Sequence, residues 1–378
     1  MRCLHASPLI DGNVFTDNHS ANHAGGIYSV NASPRIRDCL FVANTAGSGT
    51  GIYLDERSRA TIERCEFRGN EAVGLGGGIT IELESAGVIR DCLFENNSAG
   101  DGGAICVSAA TAEIRRCRMV ANTASFGGGL SLMSAGDVTV EHCAILENEA
   151  TFAGGGAYIS SSTFEVDGCV FEGNSSELNG GAAWLYESTG GLTGSAIRGN
   201  GAGDVAGGIY VTRSTLTVEM GELVDNGLAV YVEGDPPADA DARYNWWGHA
   251  SGPYHPLLNP EGEGDEVGDH VVFSPWLQVA GGSPSVFAGG RGWAAPSPFR
   301  PSDSITFSLA EPSPVSLRVH DASGRLVRVL CDRLTPAGHH ELCWDGRDER
   351  GRPASSAVYL IRFRARDQRG TRRVVLFR

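Results

Sequence analysis

Lysine is absent from this sequence: every one of its 30 basic residues is an arginine. Schiff-base chemistry, a lysine general base and a lysine-dependent phosphate loop are thereby excluded. Long apolar runs are missing as well, and no stretch approaches the roughly 18 apolar residues of a membrane-spanning helix. The opening segment MRCLHASPLI has neither the charged nor the apolar region of a signal peptide and begins in mid-pattern. The expectation is a longer exported protein, extracellular or on the cell surface, with its signal peptide upstream.

Glycine is abundant, 52 of 378 residues, and is gathered in pairs and triplets rather than in low-complexity linkers. An average chain holds about 7% glycine, so the excess points to recurring turns and hence to internal repeats. Charge is divided unevenly. Residues 1–280 hold 14 arginines against 36 acidic residues, whereas 281–378 hold 16 arginines against 9. Two domains of opposite sign follow, and the acidic body argues against nucleic acid as a partner.

Asparagine marks the repeat. Asn18, Asn44, Asn70, Asn96, Asn122, Asn148, Asn174, Asn200 and Asn226 stand 26 residues apart. Around them runs I-x-x-C-x-F-x-x-N, as in IRDCLFVAN (36–44), IERCEFRGN (62–70) and VDGCVFEGN (166–174). In IRDCLFENN (89–97) the pattern is shifted by one, which makes Asn97 an alternative to Asn96. Each asparagine is followed by a Gly-rich step and an alternating segment such as GGGITIEL (76–83), GGAAWLY (180–186) or AGGIYVT (206–212). Alternation with period 2 means strand. Ile27, Ile52, Ile79, Ile105 and Leu130 lead one inward row; Leu54, Ile81, Val107 and Leu132 lead a second; Ile36, Ile62, Ile89 and Ile114 lead a third. A 26-residue unit with two or three short strands and no helical period cannot bury its own apolar face, so it stacks on its copies. The predicted body is all-β, a parallel β-helix of about nine 26-residue coils and roughly 43 Å long at about 4.8 Å per coil.

The asparagines suit turns, since the residue tolerates left-handed backbone and its amide bonds neighbouring backbone or the next coil. Cys39, Cys65, Cys92, Cys117, Cys143 and Cys169 hold one place in six successive repeats, with Ser195 and Gly221 continuing the row. They lack C-x-x-C spacing and point the same way in a parallel stack. Small buried packing groups are expected, not a metal site or bridges. Cys331 and Cys343 flank TPAG (335–338) symmetrically; on a hairpin they would face each other, and a disulfide is expected there.

After Val232 the repeat stops, and residues 235–280 read as the lid that an open solenoid end requires. Their N-W-W-G (245–248), S-G-P (251–253), N-P (259–260) and F-S-P-W-L (273–277) resemble the closing segment of secreted right-handed β-helix proteins. The repeat resembles the parallel β-helix family that includes polymorphic outer-membrane proteins and carbohydrate-associated surface modules. A right-handed, single-stranded β-helix over 1–234 is implied. Residues 281–300 read as a linker, and 301–378 as short alternating strands between turns, a β-sandwich pattern. Within it DASGR (321–325), WDGRDERG (344–351) and the basic, apolar ending resemble the Ig-like domain of flagellar hook-capping proteins and the C-terminal sorting domains of type IX secretion. That resemblance implies sorting or anchoring through a secretion machinery, and no catalysis.

Any activity must lie on the outward rows. Asp55 and Glu82 fall one coil apart at about 4.8 Å, near the roughly 5–5.5 Å of a retaining glycosidase, with Glu56, Arg57, Arg59 and Glu84 nearby. Ser108 and Met133 follow them, so no charged groove develops and the pair is a weak catalytic candidate. A second outward row reads Tyr28, Tyr53, Thr80, Cys106, Ser131, Tyr158, Trp184, Tyr210 and Tyr231. Within it Tyr158, Trp184 and Tyr210, with Tyr186 beside them, are either platforms for sugar rings or rings that support the sheet. The acidic tract 261–269 lacks the register of a calcium loop, and no metal or cofactor site emerges. Arg362, Arg364, Arg366, Arg369, Arg372 and Arg373 alternate on strands, as a solvated face or as a contact for an anionic surface glycan. The sequence reading is a secreted or surface-displayed, non-enzymatic adhesion or glycan-binding protein. Its alternatives are a polysaccharide lyase or glycoside hydrolase, and a passive spacer.

Overall fold

The computed structural model describes residues 1–234, 239–278, 293–294, 304–309, 313–321, 325–336, 338–355, 357–365 and 368–376. They fall into two units, Met1–Gly281 and Gly282–Arg378. The expected linker, apart from 293–294, and Arg366 lie outside the described residues.

In the first unit one coil supplies four strands rather than two or three: Ile52–Asp55, Arg59–Glu63, Glu66–Arg68 and Glu71–Ala72. Stacked coil on coil, they make four parallel sheets, here sheets 1 to 4, of 12, 11, 9 and 7 strands. The register follows the repeat: Ile79 pairs with Ile52 and Ile105, and Ile89 with Ile62 and Ile114. Sheet 4 escapes the period-2 signal because most of its strands are too short to alternate. Its inward residue is commonly a small one, buried at Ala46, Ala72, Ala124 and Ala150.

Sheets 1 to 3 enclose one apolar core. From sheet 3, Phe15, Phe41, Phe67 and Phe94 stack with centroids 4.7–4.8 Å apart and planes within 4° of parallel, the coil repeat itself setting the spacing.

The asparagines form a buried ladder. Asn148 Nδ2 donates to Asn174 Oδ1 at 3.0 Å and to the Met119 carbonyl at 2.9 Å, while its Oδ1 accepts the backbone N–H and the amide of Asn122. Each amide thus ties three coils together, as expected of amides stacked in register. Two particulars differ. Asn97, not Asn96, holds the rung between Asn70 and Asn122. The left-handed residue is the one before each rung, as at Ala43 (φ 51°), Asn96 (φ 55°) and Ala121 (φ 53°). Asparagine is therefore needed for its amide, and the backbone strain falls on its neighbour.

The six repeat cysteines are buried at the corner between sheets 2 and 3. They also carry hydrogen bonds: Cys143 Sγ accepts the Cys117 N–H at 3.4 Å, Cys169 Sγ accepts that of Cys143 at 3.3 Å, and Ser195 Oγ accepts that of Cys169 at 3.1 Å. Serine replaces cysteine there because a hydroxyl accepts the same N–H.

Beyond the last coil, Asp239–Asp241, Gly264–Val267 and Val271–Val272 extend sheets 1 and 2, and Trp247, Phe273 and Leu277 close the core.

The second unit is antiparallel. A four-stranded sheet runs in the order Leu326–Thr335, Ser313–Asp321, Val358–Ala365, Gln368–Val375, and a three-stranded one runs Trp293–Ala294, Ser304–Leu309, Gly338–Cys343. Trp344, Tyr359, Ile361 and Phe363 fill its core. The strands on either side of TPAG join different sheets, so Cys331 and Cys343 do not face each other across one hairpin as expected. Cys331 pairs with Leu317 and is buried, whereas Cys343 pairs with Ser304 and is exposed.

Candidate functional site

Sheet 1 points two rows away from the core, and sheet 4 folds back over one of them. In the central coils that row is closed off: Thr80, Cys106 and Ser131 are fully buried and Tyr53 is 4% exposed. Lids on the row include His23, 4.6 Å from the Tyr53 ring, and Phe126, 5.0 Å from the Tyr158 ring. An outward-facing residue is not an exposed one here.

Toward the C-terminal coils, Tyr158, Trp184, Tyr210 and Tyr231 occupy successive rungs of this row. Trp184 meets its two tyrosine neighbours edge-on, with centroids 5.7 and 5.9 Å apart and planes at 67° and 84°. Crossed planes make an interlocked column, not a flat platform. Tyr210 is 6% exposed and lies beneath the surface, whereas Tyr158, Trp184 and Tyr186 are half-buried. Tyr186 belongs to the second outward row, between Ser160 and Thr212.

Polar groups that the sequence reading passed over converge on these rings. Trp184 Nε1 donates to Thr212 Oγ1 at 3.3 Å, and Thr212 Oγ1 donates to Glu233 at 3.1 Å. Arg213 lies over the Tyr186 ring, donates to its hydroxyl at 3.3 Å and pairs with Glu187 at 3.3 Å. Their signal was the 26-residue register, which sets 186–187 beside 212–213. The result is a strip over two coils in which two half-exposed aromatic rings are framed by hydroxyls and a charge pair.

At the other end of the rod Asp55 and Glu82 do fall in one row, but both are engaged. Tyr28 donates its phenol to Asp55 at 2.6 Å, and Tyr53, one coil on, donates to Glu82. Asp55 also accepts the Glu56 N–H at 2.8 Å and is 7% exposed. Burial, with the Asp55 carboxylate second, pushes the Tyr28 phenol up to about 12. An open groove of about 450 Å³ runs alongside, lined by Asn31, Glu56, Arg57, Leu83, Glu84 and Ala109. Neither Asp55 nor Glu82 lines it, and Arg57 is paired with Glu84 at 2.8 Å. Among the described residues no three His, Cys, Asp or Glu side chains converge as metal ligands, and no helix is long and apolar enough to cross a membrane.

Comparison with known proteins agrees with the architecture. Residues 3–117 and 48–234 match the right handed beta helix region family, and residues 297–368 match the FlgD Ig-like domain. No curated protein matches the chain. A solved structure similar to it is the enzymatically active domain of tailspike protein 2 of bacteriophage CBA120, 10% identical over 96% of this chain and 72% of that one, with a TM-score of 0.36. With nine asparagine rungs, four stacked parallel sheets and a family match over most of its length, the chain belongs to the right-handed β-helix family and carries an FlgD-type Ig-like domain at its C-terminal end.

Proposed function

We propose that this is a secreted or cell-surface, non-enzymatic glycan-binding protein, whose β-helix carries the binding strip and whose Ig-like unit sorts or attaches it. The observation that supports this most is the strip around Trp184 and Tyr186. Sugars offer apolar C–H faces ringed by hydroxyls, and they match half-exposed aromatic rings set among Thr212, Ser160 and the Arg213–Glu187 pair. Tyr158 continues the strip, and Tyr210, on the rung after Trp184, is too buried to touch ligand.

The test is binding of the full chain to an immobilised glycan array, repeated with Trp184→Ala and Tyr186→Ala. Loss of the preferred glycan in both variants, with the melting temperature kept, is the expected result. Binding that survives both changes removes this strip as the site. A wild-type chain that binds no glycan at all favours the passive spacer.

The competing reading is a polysaccharide lyase or glycoside hydrolase. Its supporting feature is the succession of two tyrosine–carboxylate pairs, Tyr28–Asp55 and Tyr53–Glu82, in adjacent coils beside an open groove. Polysaccharide cleavage that disappears in Asp55→Asn and Glu82→Gln would establish it.

A further inference from the structure

The Ig-like unit carries an arginine face whose charges are incompletely balanced. In its four-stranded sheet Leu317, Val319, Ile361 and Phe363 are buried, so the alternate residues Ser316, Arg318, Arg362 and Arg364 face away from that core. The antiparallel register sets Arg318 directly opposite Arg362, and Ser316 opposite Arg364. On the next strand the backbone places Arg369 opposite Arg364 and Arg373 opposite Leu360.

Like charges directly opposite one another on a sheet are destabilising. Among the described residues Asp332 answers Arg318, at 2.8 Å. Arg362 and Arg364 are exposed, and neither has an acidic partner among the described residues. On the β-helix, exposed Arg64, Arg116, Arg213 and Arg243 are each matched to a carboxylate at 3.3 Å or less, while exposed Arg59 and Arg118 have none among the described residues. A sheet face that sets Arg318 against Arg362, with Arg362 and Arg364 left without an acid among the described residues, holds charge in reserve for a ligand.

We infer that this face binds a linear acidic polysaccharide, with Arg362, Arg364 and Arg318 engaging its carboxylate or sulfate groups. The guanidinium is planar and presents a fork of donors to such groups, and the chain has arginine and no lysine. The face itself argues against other polyanions. It has no Trp, Tyr or Phe among its described outward residues on which bases would stack, and, at half-buried Leu360, little apolar surface to insert into a bilayer. The inference rests on the Ig-like unit being the attachment domain and is independent of the Trp184 strip.

The experiment measures full-chain binding to immobilised polygalacturonate, with neutral dextran as control, at low and high NaCl. Wild type should bind polygalacturonate and not dextran, and binding should weaken steeply with salt. Exchanging Arg318, Arg362 and Arg364 together for threonine should weaken it by about tenfold or more. Trp184→Ala should leave it unchanged, which separates failure of this inference from failure of the β-helix site. Exchanging the three for lysine keeps the charge and the fold, and should retain part of the affinity. Absence of wild-type binding, equal binding by the threonine variant, or binding to phosphatidylserine vesicles or duplex DNA at least as tight as to polygalacturonate would each overturn it.

Discussion

The carboxylate of Asp265 accepts both the backbone N–H and the side-chain amide of Asn226, each at 2.9 Å. Every rung of the asparagine ladder donates toward the C-terminal end, so the last amide needs an acceptor and nothing beyond it needs a donor. A carboxylate, which only accepts, meets that requirement, and the cap delivers it from the acidic tract 261–269. Asp265→Ala should cost about 1.5–3 kcal/mol, the usual range for a hydrogen bond to a charged group. Asp265→Asn should cost less. Chemical denaturation gives the magnitude, and hydrogen exchange should show early opening around Asn226.

The same carboxylate in mid-ladder should be far worse. Asn148 is fully buried and must donate to Asn174 and to the Met119 carbonyl. Asn148→Asp deprives both of a donor and buries a charge, whereas Asn148→Ala leaves polar groups on the two neighbouring coils short of a partner, at about 1–3 kcal/mol each. Both should destabilise by more than Asp265→Ala, and equal unfolding midpoints would contradict the ladder.

Burial raises the Asp101 carboxyl above the usual carboxylate range, and no hydrogen bond to that carboxylate offsets it among the described residues. Burial also raises Asp265, against the lowering effect of its bonds from Asn226. A carboxyl with a raised folded value holds its proton more tightly in the folded chain. Its contribution favours folding at low pH and is lost as pH rises from about 4 through the raised value. Asp101→Asn should therefore match wild type near pH 3.5 and be the more stable protein at pH 7. A stability difference that does not widen with pH would refute this.

Phe67 lies between Phe41 and Phe94 in the stack. Phe67→Ala should cost about 3–5 kcal/mol, and Phe67→Leu clearly less, since the row already accommodates Met119 and Ile145. Calorimetry of the three proteins would rank them.

Nine of the ten cysteines are buried and Cys343 is exposed. Alkylation of the folded chain should label Cys343 first, and the intact mass should not change with reductant. A two-dalton mass difference would restore the bridge between Cys331 and Cys343.

The period, the inward rows at Ile52, Ile79 and Ile105, the asparagine and cysteine rows, the lid and the two-domain plan are all legible in the amino-acid order. Stacking identical coils repeats each local choice along the whole rod, so an alternation legible in one coil is legible in all. Tertiary structure decided what lies over the outward rows. Period-2 alternation separates core side from far side, yet it is silent on whether another strand closes the far side. Sheet 4, with strands mostly too short to alternate, contributes to that, as Phe126 does over Tyr158, and Tyr210 is buried although its neighbour on the preceding rung, Trp184, is not. The phenols bonded to Asp55 and Glu82, and the divergence of the strands at Cys331 and Cys343, were likewise matters of which chain segments meet in space. Sequence spacing bounds that choice, and packing makes it.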